Sequence, residues 1–143
     1  MKQAASEKSL TVPERVLVVE DDGILALAIE DALSDIGVAD IQICTTTDEA
    51  LQALRTRRPD AIVLDVHLAD RNDGWAVAEL VDRVGPNPPR IFFSTGAPQD
   101  IPEDIAQLGA ILEKPYDPAE LAELLTQPKQ TGLFKRLRGA LRA

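Results

Sequence analysis

Asp60-Ala-Ile-Val-Leu-Asp65-Val-His67 is the stretch on which the reading of this chain turns. Four consecutive apolar residues, Ala61 to Leu64, two of them β-branched, are too few for a buried helix. They suit a strand covered on both faces, as in a parallel sheet. Asp65 then stands at the carboxyl end of that strand. In open α/β sheets the crevice beyond the strand ends is where ligands bind, because loops and unpaired backbone N–H groups line it. A lone Asp in such a place reads first as the start of a turn. Asp65 gains a chemical reading only from the residues that other strands bring beside it.

Outward from that strand, the pattern repeats. Arg15 to Glu20 forms an earlier apolar strand and is followed by a run of acids, Glu20, Asp21 and Asp22. Ile24, Leu25, Ala28, Ile29, Ala32, Leu33 and Ile36 recur at helical spacing and stop at Gly37, the usual residue just past a helix end. Asp40 to Cys44 is a second strand, and Thr46 with Glu49 makes a capping-box pattern that opens a helix with Ala50, Leu51 and Leu54 inward. Beyond the polar loop from Ala69 to Gly74, a helix places Ala76, Val77, Leu80, Val81 and Val84 on its buried face. Gly85-Pro-Asn-Pro-Pro89 breaks it. Arg90 to Thr95 is the fourth strand. Pro98 and Pro102 leave room only for a short helix from about Pro102, Ala110 to Leu112 is a short fifth strand, and Asp117-Pro118 caps a last helix with Leu121, Leu124 and Leu125 inward. Five strand–helix alternations call for an α/β fold: a doubly wound, five-stranded parallel sheet with helices on both faces.

Composition agrees with one domain. The chain has 143 residues, 45% hydrophobic and 27% charged, enough to bury a core and far from a disordered composition. No run approaches a membrane span, and Met1 to Glu14 lacks the apolar centre of a signal peptide, so a cytoplasmic protein is expected. Cys44 cannot form an internal disulfide and falls in a strand, where it reads as a small core residue. The net charge of −9 is uneven: five basic and no acidic residues lie from Lys129 onward, leaving ten basic against 24 acidic residues, a net −14, in residues 1–128. An acidic body of this kind would repel a phosphate backbone, and no direct nucleic-acid contact is expected.

The strand ends share a chemistry. The first contributes Glu20 and Asp21, the third Asp65, the fourth Thr95 and the fifth Lys114, and a doubly wound sheet lines these up along one edge. Three carboxylates held close repel one another unless a cation neutralises them, and Mg²⁺ needs only one or two direct carboxylates. A hydroxyl and an ammonium suit an incoming phosphoryl group. Phosphoryl transfer to a carboxylate is the chemistry implied.

With these motifs in place, Arg15 to Thr126 resembles a response-regulator receiver domain of two-component signalling. Val-Val-Glu-Asp-Asp, Val-Leu-Asp, Ser-Thr-Gly and Glu-Lys-Pro-Tyr each follow a strand in the order that family shows. The resemblance implies a flavodoxin-like strand order 2-1-3-4-5. It implies that Asp65 is the phosphoacceptor, that Asp21 and Asp65 ligate Mg²⁺ directly, that Glu20 holds a metal-bound water, and that the His67 carbonyl completes the metal's protein ligands. Thr95 and Lys114 match the family's phosphate-binding hydroxyl and lysine, the Val66 and Gly96 amides match donors to phosphoryl oxygens, and the Lys114–Pro115 bond matches one that is cis. Implied partners are a histidine kinase or histidine phosphotransfer protein, and a downstream protein target. The chain departs from the pattern in carrying Ile111 where a switch aromatic is usual and in the Phe-Ser-Thr-Gly form of the fourth motif, found in a subset of receivers that often stand alone. Activation is therefore expected mainly in Ser94 to Leu108.

The function expected is a single-domain response regulator, not an enzyme beyond its own phosphorylation and dephosphorylation. A degenerate receiver serving as a docking module is the alternative. An aspartate-nucleophile phosphatase fits less well, because its Asp-x-Asp belongs on the first strand. His67, Trp75 and Tyr116 read as residues beside the cleft that modulate access or fill space. We divide the chain into a leader (1–14), a receiver (15–126), and a linker and tail (127–143). In the tail, Leu133, Phe134, Leu137, Ala140 and Leu141 share one helical face and Lys135, Arg138 and Arg142 another, an amphipathic basic helix expected to dock on a protein surface in preference to an anionic membrane.

Overall fold

The computed structural model describes residues 11–67, 75–83 and 85–128, together with a short strand at Arg136–Arg138. Strands β1 (Arg15–Val19), β2 (Asp40–Cys44), β3 (Ala61–Asp65), β4 (Arg90–Thr95), β5 (Gly109–Glu113) and β6 (Arg136–Arg138) form one parallel sheet in the order 2-1-3-4-5-6. Helices α1 (Gly23–Asp35), α2 (Thr47–Thr56), α3 (Trp75–Asp82), α4 (Glu103–Ala106) and α5 (Pro118–Leu125) connect them, with a 3₁₀ turn at Pro98–Asp100.

Alternation along the strands divides the core in two. Leu17, Val19, Ile62, Leu64, Phe93 and Ile111 point to the side covered by α2, α3 and α4. Val16, Val18, Val63, Phe92 and Leu112 point to the side covered by α1 and α5, where Ile29, Leu33, Leu121 and Leu125 meet them. Both faces of β3 are thus dry, and each fully buried Leu or Ile there contributes about 1.5–3 kcal/mol. Cys44 is buried, as expected of a core residue. Gly109 lets β5 lie against β4, since a Cβ there would run into the Ile91 carbonyl.

The helix ends follow their sequence signals. Asp22 caps α1 by accepting from the Ile24 and Leu25 amides. At its other end Gly37 takes a positive φ, with Gly37 N donating to Ser34 O and Val38 N to Leu33 O, the paired bonds of a Schellman stop. Thr46 caps α2 through the Glu49 amide, and the Glu49 carboxylate reaches back to Thr45 N. The Lys114–Pro115 peptide is cis.

Three expectations need correction. Ile24 was placed on the buried stripe of α1 but is 84% exposed, and Ala26 faces the core instead. In α3, Ala76 is exposed and Leu80 is 42% exposed, while Ala78 is buried; Val84 lies outside the described residues. Periodicity of 3.6 tolerates this rotation of the stripe, and the neighbouring sheet sets the phase. Finally, Arg136–Arg138, within the expected tail helix, form a sixth strand on β5. The open edge of β5 offers a row of N–H and C=O groups that satisfies an extended segment better than water satisfies a twelve-residue helix. The remainder of the tail and residues 1–10 lie outside the described residues.

Candidate functional site

The carboxyl ends of β1, β3, β4 and β5 converge. Glu20 follows β1 and is tied to β2 by its N–H donating to Cys44 O at 2.9 Å. Asp22 is committed to capping α1, and its own N–H donates to Glu20 Oε2 at 3.1 Å, so the acidic turn folds back on itself and leaves Glu20 and Asp21 beside Asp65. Oxygens of Glu20, Asp21 and Asp65 all lie within 4.8 Å of one another. Glu20 is 1% and Asp65 4% exposed, whereas Asp21 is at the surface.

Lys114, on the loop leaving β5, reaches into this cluster. Its Nζ is 3.2 Å from Glu20 Oε1 and 3.4 Å from Asp65 Oδ2. The other Asp65 oxygen, Oδ1, accepts from His67 N at 2.9 Å, which fixes the carboxylate's orientation. Thr95 is 1% exposed at the end of β4, and its Oγ1 accepts from Ala97 N at 2.9 Å while keeping its own proton to donate. Val66 is buried directly after Asp65, and beside Gly96 no heavy atom lies within 4 Å of where a Cβ would stand. The structure therefore brings Glu20, Asp21, Asp65 and Lys114 together, with Thr95, Val66, Gly96 and His67 on the adjoining turns. His67 and Trp75 meet edge to face with ring centroids 6.3 Å apart.

Electrostatics mark the cluster as under-neutralised. Burial first, and then the Asp65 carboxylate, push the Glu20 carboxyl up to about 7. Burial works to lower the Lys114 ammonium, but the Asp65 and Glu20 carboxylates outweigh it and hold the group above its ordinary value. Lys114 therefore stays charged, one ammonium between the Glu20 and Asp65 carboxyls. Glu20 Oε1 is buried with no hydrogen bond, although Lys114 is within ion-pair range. An orphaned carboxylate oxygen amid hard oxygen donors, with no sulfur or imidazole nitrogen in the group, fits a hard divalent cation such as Mg²⁺.

One polar contact escaped the sequence reading. Tyr116 packs against the α1–α5 core as a space-filling residue would, yet its hydroxyl lies 2.8 Å from Ser94 Oγ. Only the choice of Tyr over Phe hinted at it, since the partner is 22 residues away.

Comparison with known proteins agrees with this geometry. The family model for the response regulator receiver domain matches residues 16–126. The Phyllosphere-induced regulator PhyR of Methylorubrum extorquens is 25% identical over 127 residues, covering 87% of this chain but 47% of that regulator, so the chain spans about half its length. A CheY-like receiver domain from Methylobacillus flagellatus superposes with a TM-score of 0.67 at 28% identity, over 78% of this chain and 95% of that one. The receiver domain of the sensor histidine kinase PA1611 from Pseudomonas aeruginosa, solved with a magnesium ion coordinated in its active site cleft, gives a TM-score of 0.65 at 28% identity, over 78% and 93% of the two chains. With its motifs in order, its first five strands in the order 2-1-3-4-5 and the family model matching residues 16–126, the chain belongs to the response regulator receiver domain family of two-component signalling.

Proposed function

We propose that the chain is a response regulator that accepts a phosphoryl group on Asp65 and passes the signal on by phosphotransfer or by phosphorylation-dependent protein binding. The observation that carries this reading is the buried Asp65 carboxylate, held between the His67 amide and Lys114 Nζ inside a cluster of three acids. A histidine kinase or a histidine phosphotransfer protein is the donor in this reading. An Asp65 oxygen attacks phosphorus in line, an acyl-phosphate O–P bond forms, the donor's P–N bond breaks, and the imidazole leaves with a proton from solvent.

The residues divide the work. Glu20, Asp21, Asp65 and the His67 carbonyl would hold Mg²⁺, which when bound neutralises charge on the transferring group. Lys114 places a second positive charge at the acceptor. Thr95 offers its hydroxyl, and Val66 and Gly96 their backbone N–H groups, to phosphoryl oxygens. Ile24 and Leu27, 84% and 60% exposed on α1 beside the acidic turn, supply an apolar face for the donor protein. The unit doing this is residues 15–126, with 1–14 as leader and 127–143 as linker and tail, acting in the cytoplasm; among the described residues no helix is long and apolar enough to cross a membrane.

Incubation of the full chain with Mg²⁺ and a small acyl phosphate, read by intact mass, tests the reading. One acid-stable, base-labile phosphate is expected on the wild type and none on Asp65→Asn; full labelling of that variant would overturn the assignment.

A further inference from the structure

The loop that carries Lys114 is tied to the end of β4 at two successive residues. Lys114 N donates to Thr95 O at 2.7 Å, and two residues later the Tyr116 hydroxyl meets Ser94 Oγ at 2.8 Å. Ser94 is 1% exposed and stands opposite Asp65 in the β3–β4 register. Ser94 and Thr95 point to opposite sides of the sheet, as neighbours in a strand must. One tie is therefore main chain to main chain and the other runs between side chains, with the span 114–116 held at both ends.

Packing alone does not call for this pair. Ala and Phe would fill much the same space, and burying two hydroxyls costs free energy that their mutual hydrogen bond only offsets. The phenol also feels the site: burial raises its pKa, the Ser94 bond lowers it, and Glu20, Lys114 and Asp65 all act on it through space. What the hydroxyl pair adds is a fixed loop. The Lys114 side chain is 27% exposed on a flexible four-carbon stem, so where its ammonium meets Glu20 and Asp65 depends on where its backbone is held.

We propose that Tyr116 is a positioning residue for Lys114: anchored to Ser94, it holds the Lys114 loop against β4 so that Nζ stays at the Asp65 carboxylate. This rests on Asp65 being the phosphoacceptor. The phenol itself touches no reacting atom, and it acts by way of the loop. The tie also joins the acceptor's neighbour in β4 to the α1–α5 side of the sheet, opposite the side on which Ile111 is buried.

The test uses the full chain with Mg²⁺ and a small acyl phosphate. Tyr116→Phe and Ser94→Ala are each expected to lower the maximal phosphorylation rate roughly fivefold, the worth of one hydrogen bond. The Mg²⁺ concentration for half-saturation should not move, and the double variant should lose no more than either single one. In a Lys114→Ala background, Tyr116→Phe should have no further effect. An undiminished rate in Tyr116→Phe, or an equal further loss without Lys114, would overturn the inference. Amide hydrogen exchange without phosphodonor decides it independently: Lys114 N–H should exchange faster in Tyr116→Phe, and equal protection would refute the tie. Should the wild type take no phosphate, the phosphoacceptor reading fails, and this exchange measurement alone judges the loop.

Discussion

The two ends of the sheet hold the same kinds of charged residue to opposite effect. At the amino end, Arg15 is 7% exposed, and its guanidinium donates to Asp40 Oδ2 at 3.0 Å and Gln42 Oε1 at 2.7 Å. Asp60, just before β3, accepts from the Glu14 and Arg15 amides through one oxygen, both at 3.0 Å. At the carboxyl end, Glu20 and Asp65 share one lysine at 3.2–3.4 Å, with Asp21 beside them, and a buried Glu20 oxygen has no hydrogen bond. Arg15 Nε is buried without a hydrogen bond as well, so what separates the two ends is the charge balance: Arg15 faces Asp40, which also has Arg57, whereas Glu20 and Asp65 both turn to Lys114. At the amino end opposite charges pair nearly one to one; at the carboxyl end two buried carboxylates turn to one ammonium.

Breaking the carboxyl end should cost function and leave the fold. Asp21→Ala removes an exposed carboxylate from the cation's donor set, so Mg²⁺ affinity should fall by roughly tenfold or more, with thermal stability nearly unchanged. Titration calorimetry with Mg²⁺ alone is the check, and unchanged affinity would place the metal elsewhere.

At the amino end the pattern should invert. Arg15→Ala strands Asp40 and Gln42, but Asp40 keeps Arg57 at 2.8 Å and is 32% exposed, so the loss should be about 2 kcal/mol, less than for a sealed pair. Urea unfolding measures it. Phosphorylation of the folded fraction should match the wild type, and a drop there would show that the two ends are coupled.

Acidity separates the ends more gently. Glu20 rises from an ordinary 4.5 to about 7, so between those values the folded state holds a proton that the unfolded state has released. Its contribution to stability is full below 4.5 and is lost as pH rises through about 7. Mg²⁺ competes with that same proton, so its affinity should climb as pH rises and level off above about 7. Glu20→Gln should flatten both slopes. A slope that survives in this variant would assign the proton to another group.

Much of this was legible before any coordinates. Buried parallel strands announce themselves as short apolar runs, and the residue after each run lands on the sheet edge whatever the helices do. Glu20, Asp65, Thr95 and Lys114 could therefore be placed from spacing alone. Helix phase could not: whether Ile24 or Ala26 faces the core depends on how α1 settles against β1 and α5, which a period of 3.6 leaves free. Ser94 and Tyr116 were opaque for a different reason, since a side-chain contact across 22 residues has no local signature. The tail misled because Arg-Leu-Arg suits strand and helix periods alike, and the free edge of β5 decided between them.

That edge matters to more than the fold. Strand β5, Gly109–Glu113, is apolar up to its closing glutamate and has no proline, so a bare edge there invites pairing with another chain. With Arg136–Arg138 alongside, the backbone groups of Ile111–Glu113 are paired instead of bare. A chain ending at Pro128 should scatter more light on mild warming than the full chain, while its five remaining strands and its phosphorylation stay intact.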